Sequence, residues 1–311
     1  MDCAISGRVT EFETGTTLTS PRLALRRIGV IGETATALDE DGRFSFASLC
    51  AGEYSLSAYS NDFVYWHQSL TLSEGQTVDN LQVTLVRGGR IVGQLLDEEG
   101  RPPQQGLMTL LRQGERNGRS GLISVSGDHQ AGKDGRFQSP PLSDGSYILR
   151  FAGILQKPAN AEIPSQERGL SPDRIFDFLY PNAHDLTYAS AVVVERAQTV
   201  DLQVRIPRPI RYRVRGRVQG KLPEDRQYIS LQFTRELGTL DPVGWAGGAA
   251  IQSDGSFEGL EQPGNYRAEI CQFAPPEPSG RTHLVRSFGS ANFRLDSEDI
   301  SDVKIQVGSD M

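Results

Sequence analysis

Residues that bind metals, carry thiol chemistry or cross membranes are scarce in this chain. Its 311 residues include four histidines and three cysteines. The histidines stand at 67, 129, 184 and 283, without the i, i+2 or i, i+4 spacing that would bring two onto one face, so the pattern supplies no three- or four-ligand metal site. No apolar run approaches the ~18–20 residues that span a bilayer as a helix. Charge of one sign is not concentrated either: 32 basic and 39 acidic residues are interspersed and give −7 at pH 7, which argues against nucleic acid as a main partner. There is no Gly-x-Ser-x-Gly elbow, phosphate loop or His-Glu-x-x-His helix. His184-Asp185 lie beside Tyr188, but neighbours in sequence rarely form a productive acid–base pair. The reading is therefore no enzyme, no cofactor and no metal.

Turn formers are abundant instead, with 33 Gly and 17 Pro. They fall into a pattern that occurs three times. An opening strand, Ile5-Ser-Gly-Arg-Val9, Ile91-Val-Gly-Gln-Leu95 or Val214-Arg-Gly-Arg-Val218, precedes an Asp-Gly turn at Asp41-Gly42, Asp134-Gly135 or Asp254-Gly255. Gly accepts positive φ freely and Asp better than most residues, so each Asp-Gly predicts a tight hairpin. The residues that follow alternate: Phe44 and Phe46 fall on one face, Arg43 and Ser45 on the other. A second turn carries Gly52, Gly145 or Gly264, and two residues later comes Tyr54, Tyr147 or Tyr266, placed to act as a corner residue whose hydroxyl satisfies a nearby backbone group. Closing strands follow at 77–85, 199–206 and 300–307. The spacing from opening Gly to turn Gly is 42 − 7 = 35, 135 − 93 = 42 and 255 − 216 = 39 residues.

Units of this size with short strands and frequent turns predict an all-β chain of three tandem antiparallel β-sandwiches, residues 1–87, 88–207 and 208–311. The order I-x-G-x-V, D-G-x-F, G-x-Y and a closing V-x-L strand resembles the carboxypeptidase regulatory-like repeat, a transthyretin-like, carbohydrate-binding-like sandwich found in secreted bacterial proteins, including tandem arrays in Acidobacteria. The usual Pro before Gly-x-Tyr survives only as Pro263; Ala51 and Asp144 replace it. The resemblance implies a non-catalytic module and a secreted, cell-surface or periplasmic site. Met1-Asp2 runs straight into the first strand, so the sequence reads as a mature segment without its leader.

Cys3 and Cys50 both lie in the first repeat, and Gly89, Ser143, Tyr212 and Gln262 replace them in the others. The opening strand of a sandwich can pass the loop before the corner Tyr, so a Cys3–Cys50 disulfide is expected, with buried thiols as the alternative; Cys271 reads as an inert core thiol. The acidic triplets Asp39-Glu-Asp41 and Asp97-Glu-Glu99 invite calcium. Only Asp41 recurs in the other repeats, so a turn role is preferred.

Aromatic residues outside the repeat are the candidate contacts. In Asp62-Phe-Val-Tyr-Trp-His-Gln-Ser-Leu-Thr-Leu72, alternation puts Phe63, Tyr65 and His67 on one face and Val64 and Trp66 on the other. A long loop, 153–189, ends in an aromatic stretch whose Phe176, Phe178, Tyr180 and Tyr188 must be buried over their own sheet or against a partner. Trp245 sits in the Gly-rich connection 238–248. Trp66, Tyr180, Tyr188 and Trp245 are thus the candidate ligand or partner contacts. The six arginines from Arg205 to Arg217 alternate in a way that suggests solvated strand faces, with a phosphate or glycan patch as the alternative. Stiff sandwiches with open edges suit a structural or self-assembling surface subunit. A carbohydrate-binding module, or accessory domains of a larger secreted enzyme or outer-membrane receptor, are the competing readings.

Overall fold

The computed structural model describes residues 2–156, 174–223, 228–240, 246–275 and 283–308. Residues 3–85 form seven strands: β1 (Cys3–Glu11), β2 (Arg22–Arg27), β3 (Thr34–Thr36), β4 (Arg43–Leu49), β5 (Gly52–Tyr59), β6 (Trp66–Leu72) and β7 (Thr77–Leu85). They make two sheets, ordered β4-β1-β7 and β3-β2-β5-β6. The middle of the chain adds β8 (Arg90–Leu96), β9 (Gln105–Arg116), β10 (Arg119–Ser124), β11 (His129–Gln130), β12 (Arg136–Gln138), β13 (Gly145–Ile154), β14 (Ile175–Leu179), β15 (Ala191–Val194) and β16 (Thr199–Arg205). Their sheets run β12-β8-β16 and β10-β9-β13-β14, with β11 on β9 and β15 on β13. The last stretch contributes β17 (Tyr212–Gln219), β18 (Ile229–Arg235), β19 (Ala246–Ala249), β20 (Ser256–Glu261), β21 (Gly264–Phe273), β22 (Leu284–Leu295) and β23 (Ile300–Gln306), in sheets β20-β17-β23 and β19-β18-β21-β22.

The chain folds as two compact units, residues 1–92 with 138–146 and 193–202, and residues 93–137 with 147–192 and 203–311. In the first, Ile5, Val9, Leu23, Leu56, Leu72, Val83 and Leu85 form the centre of the core, with the predicted inward Phe44 and Phe46 against them. In the second, Val214, Leu231, Phe233, Phe257, Ala268, Ile270 and Ile305 build a core that repeats the same positions of the pattern. Each face is apolar where alternate residues turn inward, which is why the strands hold their register.

The recurring turn has one geometry. Gly42, Gly135 and Gly255 have φ of 66°, 78° and 83°, and each donates its N–H to the carbonyl three residues back, on Asp39, Gly132 and Gln252. In the second and third copies the expected Asp anchors the turn, with Asp134 and Asp254 accepting from the N–H two residues on. In the first, Asp39 does so instead, accepting from Asp41 and Arg43 at 2.9 and 2.7 Å, while Asp41 pairs with the Arg43 guanidinium.

The opening glycines have a different cause. β1 runs antiparallel to β4 but parallel to β7, and β17 runs antiparallel to β20 but parallel to β23, so first and last strands of the first and third copies lie side by side in the same direction. The parallel registers slip at Gly7 and Gly216, where a Cβ would strike the carbonyl oxygens of Leu81 and Val303. Only glycine fits this close approach.

Candidate functional site

The first candidate region is β6, the outer strand of β3-β2-β5-β6. The strand begins at Trp66, four residues later than the sequence run, because Phe63 is drawn off as a bridge partner of Arg87, whose guanidinium lies 4.9 Å from the ring centroid. Phe63 is buried as a result and does not share a face with Tyr65 and His67. From Trp66 onward alternation holds: Trp66, Gln68, Leu70 and Leu72 turn inward, and His67, Ser69 and Thr71 are exposed. Trp66 is half-buried and packs on the core.

The outward rings are engaged with one another. Tyr65 stacks on His67 at 5.7 Å and 16° and lies 5.2 Å from Tyr59, while its hydroxyl meets Ser57 Oγ at 2.9 Å. Their faces are therefore used within the ladder.

The free side of β6 is chemically bare. Among sheet-edge strands of seven residues or more, β4 carries Arg43, β7 Asp79, β16 Asp201 and Arg205, β22 Arg286 and Arg294, and β23 Asp302 and Lys304; β6 carries no Asp, Glu, Lys or Arg. Charged side chains are the usual guard on an edge whose N–H and C=O groups are unpaired.

The second region is a set of buried charges in the second unit. Long runs without strands were expected over 153–189, yet Ile175–Leu179 forms β14 beside β13. Phe176 and Phe178 are fully buried, so the stretch is covered by its own unit. Asp177 points to the opposite face from them. It takes two hydrogen bonds of 2.9 Å from Arg150, and its backbone carbonyl accepts from Arg235 Nη1 at 2.9 Å. Arg235 also reaches the carboxylate at 3.6 Å and donates to the His184 carbonyl. Nearby, Arg211 lies 3.8 Å from Glu261. Burial pushes the Glu261 carboxyl up to about 7 against the pull of Arg211 and Arg235. Burial, then the Arg235 charge, lowers His184.

The third region is a cleft of about 410 Å³ in the same unit, bordered by His184, Asp185, Tyr188, Asn265, Arg294 and Asp296. Asp185 caps a short 3₁₀ turn over Leu186–Tyr188, accepting from Thr187 N at 2.7 Å, and this bond holds its carboxyl below the usual range. Tyr188 is 78% exposed. Tyr180 is half-buried and tied into the sheet, its N–H on the Leu149 carbonyl and its own carbonyl accepting from Ser190. Trp245 lies outside the described residues.

The remaining expectations resolve locally. Cys3 and Cys50 are not joined: Cys3 is buried with its thiol on the Ser73 carbonyl at 3.0 Å, and Cys50 is exposed. Cys3 pairs with Leu49, the last residue of β4, and Cys50 follows outside the strand. The acidic triplets hold turns, with Asp97 accepting from Glu99 and Arg101 as Asp39 does from Asp41 and Arg43. No group of three His, Cys, Asp or Glu could hold a metal ion among the described residues. Three arginines of the stripe find acidic partners: Arg213 and Arg215 share Glu258 of β20 at 3.8 and 2.6 Å, and Arg217 meets Asp254 of the preceding turn at 3.4 Å. Ser126 Oγ lies 2.6 Å from His129 Nε2, a contact the sequence did not signal, but the adjacent Asp128 is bonded to Thr109 Oγ1. No helix of the described residues is long and apolar enough to cross a membrane.

These features define an all-β protein of sandwich type. No family model matches the chain, and no curated protein matches it. Solved structures similar to it include the Bacillus anthracis TIE protein (12% identity, TM-score 0.24), of which the chain spans 50% while 97% of the chain is covered. Others are the Bacillus cereus major pilin subunit BcpA (9% identity over 99% of this chain and 100% of that one, TM-score 0.25) and a minor pilin of Streptococcus agalactiae (12% identity over 71% and 99%, TM-score 0.30). Scores of this size carry no functional inference.

Proposed function

We propose that this chain is a non-catalytic, exported interaction subunit, built of three tandem sandwiches, that joins a second copy of itself edge to edge through β6. One observation carries the reading: among the described residues, β6 is the edge strand of seven or more residues without a formal charge. Its sequence is also compatible with its own reverse. Two β6 strands paired antiparallel about Ser69 set Trp66 against Leu72 and Gln68 against Leu70 on the inward side, and His67 against Thr71 on the outward side. Every inward residue then faces an inward one, as the pleat requires, and no like charges meet. The half-buried Trp66 and Leu70 gain cover.

The three matching turns, and the resemblance to secreted carboxypeptidase regulatory-like repeats, support the modular and extracellular parts of the reading. Because the contact is the same patch on both partners, it closes at a dimer. One strand pair must offset the loss of rotational and translational freedom, so dissociation in roughly the 1–100 μM range is expected. Sedimentation velocity on wild type and Ser69→Lys across that range tests it. Wild type should dimerise and Ser69→Lys remain monomeric, because the substitution places a cation at the two-fold position of both strands.

A further inference from the structure

The cleft at Tyr188 uses none of the residues of the β6 edge, and its chemistry points to a different kind of partner. The turn that presents Tyr188 is locally fixed: Asp185 caps it through Thr187, and Tyr188 N donates to the Asp185 carbonyl at 3.2 Å. The backbone is held while the ring stays in water, 78% exposed. Among the described residues no ring stacks on it and no cation sits over its face, in contrast to the Tyr59, Tyr65 and His67 ladder. An aromatic face is thus presented beside a hollow of about 410 Å³, within the size of small-molecule sites.

The groups around that hollow are planar and polar. Asn182 and Asn265 offer carboxamides that donate and accept, Asp185 and Asp296 carboxylates, and Arg294 a guanidinium bonded to Asp296 at 2.7 Å. Two carboxylates against one guanidinium disfavour an anion. A wholly apolar ligand would leave these groups without partners on desolvation. Vicinal hydroxyls on a ring, each both donor and acceptor, match the mixture, and the C–H face of the same ring matches the tyrosine. We infer that this cleft binds a neutral saccharide, one pyranose ring stacking on Tyr188 with its hydroxyls on Asp185, Asn265 and Arg294.

Isothermal titration with cellohexaose, xylohexaose, mannohexaose and maltohexaose tests this on the full chain. At least one should bind with one site per chain. Tyr188→Ala should weaken that binding roughly tenfold, the upper end of what an aromatic face contributes, and Asn265→Ala should weaken it severalfold. Ser69→Lys should leave it unchanged, which separates this site from self-association. An exposed position such as Tyr188 tolerates alanine, and circular dichroism checks the fold. No heat from any of the four sugars at millimolar concentration, or binding that survives Tyr188→Ala unaltered, overturns the inference.

Discussion

Asp177 shows how much a single buried residue can hold. Its carboxylate sits between Arg150 and Arg235, with all three side chains under a tenth exposed. Removing it would leave two guanidiniums buried without their anion, so Asp177→Ala should destabilise the second unit by about 3–5 kcal/mol, measured by urea unfolding. Glu261 acts in the opposite sense. Its folded-state value of about 7 lies above its ordinary 4.5, so the fold binds its proton more tightly than the unfolded chain does. The resulting stabilisation is present at low pH and is lost as pH rises from about 4.5 through 7, amounting to about 3 kcal/mol. His184 and His129, both lowered by burial, give the reverse slope over part of that window. The diagnostic quantity is therefore wild type minus Glu261→Gln, which should fall across that range; a flat difference would contradict the assignment. Cys50 should react with iodoacetamide in the native protein, whereas Cys3 and Cys271 should react only on unfolding. Protection of Cys50 that reductant relieves would show a disulfide that the structure does not contain.

At the level of strands, what the sequence revealed was local. Asp-Gly turns, inward Phe44 and Phe46, and the corner tyrosines could be read because each depends on neighbours within a few residues. Tyr54 and Tyr266 donate their hydroxyls to the carbonyls of Cys50 and Gln262, each at 2.8 Å. What escaped depended on distant partners. β14 reads as loop because Asp177 interrupts an apolar run, and only Arg150 and Arg235, 27 and 58 residues away, make that burial tolerable. Phe63 breaks the alternation of its run because Arg87 captures it. The parallel pairing of first and last strands is likewise a tertiary fact, although Gly7 and Gly216 mark its bulge. The open edge of β6 combined both kinds of information: its lack of charge is visible in sequence, but its place at the sheet edge is not. Of the candidate contacts, Tyr188 alone was both described and left well exposed.

For the molecule as a whole, the same sandwich turn recurs, and among the described edge strands of seven residues or more β6 is the one without a charged side chain. Repetition explains why the same turn and corner recur, and it gives no chemistry beyond a scaffold. The proposed functions use what the scaffold leaves open, a strand edge for a second copy and a cleft for a saccharide. Pairing at β6 is decided by light scattering of the wild type and Ser69→Lys over a shared concentration series. Wild-type mass should climb from the 34.1 kDa of one chain toward twice that value and stop there, while Ser69→Lys stays at one chain. A wild type that remains monomeric throughout, or a Ser69→Lys variant that associates equally well, would contradict pairing at β6.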